Sequence, residues 1–458
     1  MSCWRRKGSL RMTERNEGSG AFAGRKLNRR DFLKMSGAGL AGAALLGTVG
    51  CGGGGGGGSG KIIFSMGPDT DGSIAKLIDK FNKEYKGKLE AVHRQMPAST
   101  TQYYDKIRTE FQAGSGDIAV IGTDVIWPKQ FAPQGWTMDL SDRFSASAQK
   151  DFIPVTISVA EYEGGIYSVP WCSCPDAGLL YYRKDLLEES GISSPPETWD
   201  DLKGMAVQVS EEAGVQNGFV FQGSNYEGGV CNALEYIWTH GGDVLDENNN
   251  VVIDSPEAAA GLATYNSMIT SGAAPEAVAN WTETESLANF YNGDSVFMRY
   301  WPSGYGGLGD TSQTKLKRDQ VGVAPIPVDK PGNPTYSCLG GWMMSINANT
   351  DIDDDAWTFI EFMTSEQSIK ERVIIGGYDP SRKALYDDPE VQKATPVVKL
   401  AKEVLLKSVK SRPVTEYYGD TSLEMAEQFN SALKGDISPE EAVKTLQKSL
   451  SQIMEEAQ

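Results

Sequence analysis

Asp176-Ala177-Gly178-Leu179-Leu180-Tyr181-Tyr182-Arg183-Lys184-Asp185-Leu186 is the stretch whose reading decides the fold. Gly178–Tyr182 is a short apolar and aromatic run that reads as a strand, and Lys184–Glu189 reads as the helix after it. The same alternation continues outward in both directions. Toward the N-terminus, Lys61–Met66 is a β-rich run, and Ile74, Leu77, Ile78, Phe81 and Tyr85 then fall on one helical face. Asp117–Gly122, bounded by Gly114-Ser115-Gly116, reads as a buried strand. Toward the C-terminus, Gly218–Phe221 precedes a helix near Val230–Thr239. Strands alternating with helices predict an α/β protein with mainly parallel sheets. Asp246-Glu247-Asn248-Asn249-Asn250 lacks the spaced ligands of a calcium loop and reads as a turn into a strand at Val251–Ile253. The tail opens on Ser438-Pro439-Glu440-Glu441, a helix start with Pro in first position, and Ala442, Leu446, Leu450 and Ile453 share one face.

The N-terminal region has a different character. Asn28-Arg29-Arg30-Asp31-Phe32-Leu33-Lys34 is followed by a Gly/Ala/Leu run and Cys51. Paired arginines before a short apolar segment look like a twin-arginine export signal, with Arg29 and Arg30 as the recognised pair. The apolar run is shorter and more glycine-rich than the ~20 residues a membrane span needs. Cys51 stands where a bacterial lipoprotein signal is cut, with Thr48 where Leu is usual, and its thiol is the expected lipid attachment point. Residues 1–50 are thus expected to be a twin-arginine lipoprotein signal, and residues 51–60 an anchor cysteine with a Gly-rich tether spanning roughly 15–18 Å. The expected location is extracytoplasmic, anchored to the cell membrane.

Beyond the leader the chain is too long for one hydrophobic core and suits two lobes. Residues 1–50 hold 10 Lys+Arg and 3 Asp+Glu, leaving 33 basic and 58 acidic side chains and a formal net charge of −25. So acidic a body is a poor partner for nucleic acid and is repelled by anionic membrane, so lipid rather than charge must hold it there. Only His93 and His240 are present, and Cys172-Ser173-Cys174 with the isolated Cys231 and Cys338 lacks paired zinc-site spacing, so neither metal nor cofactor is expected. On the oxidising side of a membrane some of these four cysteines are expected to pair, Cys172 or Cys174 with Cys338 being the favoured combination.

Three tryptophans sit among turn-forming residues, in Val169-Pro170-Trp171, Tyr300-Trp301-Pro302 and Gly340-Gly341-Trp342. An indole face stacks on the C–H face of a sugar ring while nearby carboxylates accept from its hydroxyls, so this pattern points to carbohydrate.

With the opening stretch, Pro195-Pro196-Glu197-Thr198-Trp199-Asp200-Asp201-Leu202, Phe221-Gln222-Gly223, Tyr226-Glu227-Gly228, Val321–Pro325, Leu339–Trp342, Arg412-Pro413-Val414, Tyr417-Tyr418 and Ser438–Ala442 resemble the extracellular sugar-binding proteins of ABC importers. The resemblance covers nearly all of the chain beyond the tether and is strongest to the trehalose/maltose-binding branch. It implies a periplasmic-binding-protein-like fold of two lobes hinged about a ligand cleft. The chain would cross between lobes at Val169–Asp176, Val321–Pro325 and Thr364–Ser365, giving lobe 1 as 61–168 plus 326–363 and lobe 2 as 177–320 plus 366–458. Asp124 and Asp176 would bind sugar hydroxyls, Trp301 and Trp342 would stack, and the Gly341 backbone and the Arg412 fork would complete the set, with Trp171 and Tyr226 beside them. Asp69-Thr70-Asp71 stands where that branch has Glu, Tyr103-Tyr104 where it has Arg, and the Trp171–Pro175 crossover is two residues longer. The function implied is a monomeric, lipid-anchored receptor handing a disaccharide such as trehalose or maltose to importer permease subunits. The competing reading is an exported glycoside hydrolase, for which Asp124 and Asp176 would be the carboxylate pair. No G-x-S-x-G nucleophile motif occurs, and the family implied is non-catalytic.

Overall fold

The computed structural model describes residues 61–171 and 173–456. Arg29, Arg30, Cys51, the tether and Cys172 lie outside the described residues. Two principal sheets organise them. The first has the order β2-β1-β3-β13-β6, from β1 (Lys61–Met66), β2 (Glu90–Gln95), β3 (Val120–Asp124), β6 (Val169–Pro170) and β13 (Trp342–Ile346). The second has the order β11-β8-β10-β9, from β8 (Leu179–Arg183), β9 (Asn217–Val220), β10 (Ser295–Tyr300) and β11 (Val321–Ala324). A two-stranded hairpin, β4 (Glu161–Tyr162) and β5 (Gly165–Ile166), stands apart.

The sheets are mixed rather than mainly parallel. β1 runs parallel to β2 and β3, and β9 to β10, as chain-consecutive strand–helix–strand units require. β13 is antiparallel to both β3 and β6, and β8 is antiparallel to β10 and β11. The reason is topological. β13 re-enters the first sheet from a distant part of the chain, so no βαβ crossover fixes its direction.

The chain passes between the two sheets three times, and each passage leaves one strand in a third sheet, β14-β12-β7. Asp176–Ala177 (β7) lies between β6 and β8, and Ser337–Gly340 (β12) lies between β11 and β13. Val409–Lys410 (β14) is the third. β12 is the middle strand, parallel to β14 and antiparallel to β7, with Gly340 opposite Asp176.

The helices of nine or more residues, numbered in chain order, are α1 (Ser73–Glu84), α2 (Thr100–Gln112), α3 (Trp199–Ala213), α4 (Glu227–Thr239), α5 (Pro256–Thr270), α6 (Glu283–Tyr291), α7 (Asp353–Met363), α8 (Glu366–Gly376), α9 (Val398–Lys407), α10 (Tyr418–Lys434) and α11 (Pro439–Glu456). Local chemistry sets several starts. Thr198 and Asp201 close a capping box on α3, and Pro439 opens α11. Helix α4 is buried along its whole length, so it carries Glu227 and Glu235 into the interior.

The third crossing lies later than expected. Of residues 366–407, expected with the second lobe, α8 and the segment as far as Lys383 pack against elements of the first side, and α9 packs against β7 and β14. Helix α8 lies on α1, where Glu371 pairs with Lys76 at 2.9 Å and with Lys80. Ser381 accepts from the Ile153 backbone, and Asp151 accepts from that of Lys383. Beyond residue 412, α10 packs on the second sheet's helices α4 and α5, and α11 packs on α5. Thr364–Ser365 is therefore only the step from α7 to α8, and the chain changes sides at β14. Sequence spacing marks where a helix breaks, not which side of a cleft the next one joins.

Candidate ligand-binding site

Arg412, two residues beyond β14, is almost fully buried. Its Nη1 donates to Glu227 Oε1 at 2.7 Å, and its Nη2 donates to Asp124 Oδ1 at 2.6 Å and to the Leu339 carbonyl at 3.3 Å. Glu227, first residue of α4, also accepts from the Tyr418 hydroxyl at 2.6 Å and from Ser422. Asp124, last residue of β3, accepts in addition from the Ile126 backbone at 3.2 Å. One guanidinium thus ties the first sheet to α4. Burial pushes the Asp124 carboxyl above its ordinary value while Arg412 pulls it down. Burial also opposes the charge on Arg412, but Asp124 and Glu227 outweigh it and hold the guanidinium charged. The fork expected to grip sugar hydroxyls is therefore occupied by two carboxylates. Of its nitrogens only Nε is buried with no hydrogen-bond partner among the described residues.

A second group of residues surrounds Gly340. A Cβ there would lie 2.9 Å from Cζ3 of Trp301 and 3.5 Å from Cβ of Asp176, so the indole and the aspartate meet over bare backbone. Trp301 is half-buried; its Nε1 donates to Glu283 Oε1 at 3.3 Å, and the Arg299 guanidinium lies 4.1 Å from its ring centroid. Arg299 is itself held by Glu235, at 2.9 and 2.5 Å. Tyr226 donates to Glu283 Oε2 at 2.7 Å. Glu283, which sequence reading missed, thus orients two of the expected residues.

Asp176 and Asp379 are the chemically unsatisfied members of this region. Asp176 is 7% exposed and its Oδ1 has no hydrogen-bond partner among the described residues. Asp379 is 0% exposed and neither carboxyl oxygen has one. Burial pushes both carboxyls well above the usual range; Arg299 works against this at Asp176, and the Asp176 charge adds to it at Asp379. Buried carboxyl oxygens without donors are rare, and here they can accept from hydroxyls that the protein does not itself supply. Asp379 was not anticipated, although Gly376-Gly377-Tyr378-Asp379-Pro380 carries the same turn-flanked signal that singled out the tryptophans. Next to it, the Tyr378 hydroxyl donates to Asp71 at 2.5 Å, and the Arg372 guanidinium lies 4.8 Å from the Tyr378 ring centroid. Burial would raise Asp71, but Arg372, Ser73 and Tyr378 bring its carboxyl below the ordinary value.

The three tryptophans separate. Trp342 is half-buried, parallel to Tyr103 at 5.8 Å and edge-on to Trp127 at 5.7 Å. Trp171 is fully buried, edge-on to Phe64 at 5.5 Å with Arg372 3.9 Å from its ring centroid, so the platform expected there is core. It follows the edge strand β6, and its ring is buried because it folds onto Phe64 of β1 with Arg372 over the ring. Gly341 adopts φ +138°, and a Cβ would lie 2.3 Å from the Ser173 carbonyl oxygen, so that position requires glycine for packing. The expected bridge from Cys172 or Cys174 to Cys338 is not formed: Cys338 carries a free thiol, and the sulfur beside it is that of Cys231.

No group of three or more His, Cys, Asp or Glu side chains among the described residues is arranged to hold a metal ion. No helix among them is long and apolar enough to cross a membrane.

Comparison with known proteins places this arrangement. Residues 67–370 match the model of the bacterial extracellular solute-binding protein family, and residues 26–47 match the twin-arginine translocation signal, which marks the chain for export. A probable ABC transporter-binding protein of Deinococcus radiodurans is 32% identical over 367 residues, 78% of this chain and 85% of that protein. The maltose-bound MalE3 of T. maritima is 36% identical with a TM-score of 0.81, covering 86% of this chain and 99% of that one. The GacH receptor of Streptomyces glaucescens, solved unliganded and with acarbose, shares the fold at 24% identity and a TM-score of 0.77, over 87% of this chain and 99% of that one. The matched proteins bind and release solutes rather than transform them, which sets aside the glycoside hydrolase reading. With a two-sheet body linked by three passages and a family match across residues 67–370, the chain belongs to the bacterial extracellular solute-binding proteins.

Proposed function

We propose that this protein captures a sugar or polyol outside the cytoplasmic membrane and delivers it to an ABC importer, with a disaccharide such as maltose or trehalose as the preferred size. The observation that carries this is the pair of buried carboxyls, Asp176 and Asp379, whose unpartnered oxygens lie in the region of the half-buried Trp301 indole. Hydroxyls donate to the former, and the C–H face of a ring suits the latter. Likeness to a maltose-bound protein at 36% identity supports the size class. The ligand would touch Asp176, Asp379, Trp301 and Trp342. Arg412, Asp124 and Glu227 would hold the two sides together rather than grip the sugar.

The lobes consistent with the packing are residues 61–171 with 342–407, and 177–329 with 412–456, the second including Val328, which bridges to Thr198. Closure on ligand is a rotation at the passages between them. Lipidation at Cys51 would hold the receptor, as a monomer, within tether reach of the permease.

A thermal-shift panel of mono-, di- and trisaccharides and polyols tests the reading, because a ligand at 100 times its Kd stabilises by about 2.7 kcal/mol. The matching ligand should raise the melting temperature and be recovered unchanged. No shift with any sugar or polyol, or recovery of hydrolysed product, would overturn it.

A further inference from the structure

Helix α4 presents Glu227, Cys231 and Glu235 at four-residue spacing, and so along one face. That face meets the hinge sheet. Glu227 holds Arg412, just beyond β14, and Glu235 accepts from the Cys338 backbone N–H on β12 at 3.0 Å. Cys231, between the two glutamates on the face that packs on β12, lies beside the Cys338 side chain. Both cysteines are at most 2% exposed and carry free thiols. The twin-arginine signal sends the chain to the oxidising side of the membrane, where facing thiols do not stay reduced by default.

We propose that Cys231 and Cys338 form a disulfide after export, fastening α4 to the middle strand of the hinge sheet. Two S–H bonds are lost and one S–S bond forms. The two electrons pass to an extracytoplasmic disulfide oxidant, a protein or small-molecule disulfide, whose sulfurs leave as thiols with the two protons. The hydrogen bond with Cys338, and then burial, raise the Cys231 thiol well above its ordinary pKa, so the closed form is unreactive. Reaction therefore requires transient opening at β12, and the pair oxidises slowly. Once made, the bond closes the long loop from residue 231 to residue 338, the kind of cross-link that most restricts an unfolded chain.

The full chain, purified from the cell envelope without reductant and held with oxidised glutathione, is denatured, alkylated with iodoacetamide and digested. A peptide pair joining Cys231 to Cys338 is expected, with neither residue alkylated until reductant is added. The melting temperature should fall on reduction, and in the Cys231→Ser and Cys338→Ser variants reduction should leave it unchanged. Separate alkylation of Cys231 and Cys338 in the oxidised sample, or a bond from either to another cysteine, would overturn the proposal. Should either variant fail to fold, the peptide map of the unsubstituted protein decides alone.

Discussion

Replacing Asp379 by Asn should stabilise the ligand-free protein while weakening its hold on ligand. Asp379 is fully buried, and neither carboxyl oxygen has a partner among the described residues. Burial and then the charge of Asp176 raise its folded pKa well above its ordinary value of 3.8. The sign follows from linkage. A carboxyl whose folded pKa is raised binds more protons folded than unfolded, so its contribution to stability is most favourable below pH 3.8. That contribution falls as the pH rises past 3.8 and levels off above the raised value. At neutral pH the carboxyl therefore works against folding, by about 1–3 kcal/mol on the scale of a buried polar group without a partner. Asn removes the charge-derived, pH-dependent part of this cost, while its amide remains an unpartnered polar group. Unfolding entropy near 2.1 cal/mol/K per residue, over roughly 400 residues, converts that gain to about 1–4 °C in Tm. Differential scanning calorimetry from pH 4 to pH 8 without ligand is the assay. The variant should melt higher than the parent at pH 7, with the gap narrowing toward pH 4. Calorimetric titration with the sugar from the thermal-shift panel should show weaker binding. A gap that is absent, or that widens toward acid, would refute the reasoning, since it would mean that Asp379 is satisfied within the protein.

Arg412→Met leaves Asp124 and Glu227 buried without their cation and should cost about 3–5 kcal/mol of stability, read by urea unfolding. Trp171→Ala should cost about 3–5 kcal/mol in the same measurement, as a core residue does. Trp301→Ala should instead appear mainly in affinity, at about 1–4 kcal/mol by calorimetric titration, and equal effects of the two changes on stability would remove the distinction. Arg29-Arg30→Lys-Lys should leave precursor in the cytoplasm on fractionation, and Cys51→Ser should abolish lipid labelling; continued labelling would rule out the anchor.

How much was legible in the sequence differs between elements. The strands at 61–66 and 179–183 and the α11 start at Pro439 were readable because periodicity and capping are local properties. Strand direction was not, because β13 owes its antiparallel placement to a partner some 220 residues away. The site divides in the same way. Asp176 and Trp301 were reached from the aromatic and acidic pattern near glycine and from the family likeness. The carboxylate partners of Arg412 were not foreseen because a guanidinium fork suits carboxylates as well as hydroxyls, and only the fold decides that Glu227 stands beside it. Glu235 and Glu283 escaped notice, and Glu227 was quoted only as part of a motif, because each opens or continues a helix, where an acidic residue ordinarily needs no further explanation. The cysteine pairing failed for the same reason, since proximity between 231 and 338 is a product of tertiary structure.

The three-stranded sheet β14-β12-β7 has a mechanical consequence. Three independent tethers between two bodies would permit twisting and sliding as well as opening. Here the tethers are hydrogen-bonded edge to edge into one plate, so none can bend without carrying its neighbours. The relative motion is thereby reduced to very few degrees of freedom, and the ligand-free protein should exchange between discrete arrangements rather than drift through a continuum. A substitution anywhere in residues 176–177, 337–340 or 409–410 then changes the whole gait of the molecule, even where it touches nothing that the ligand touches.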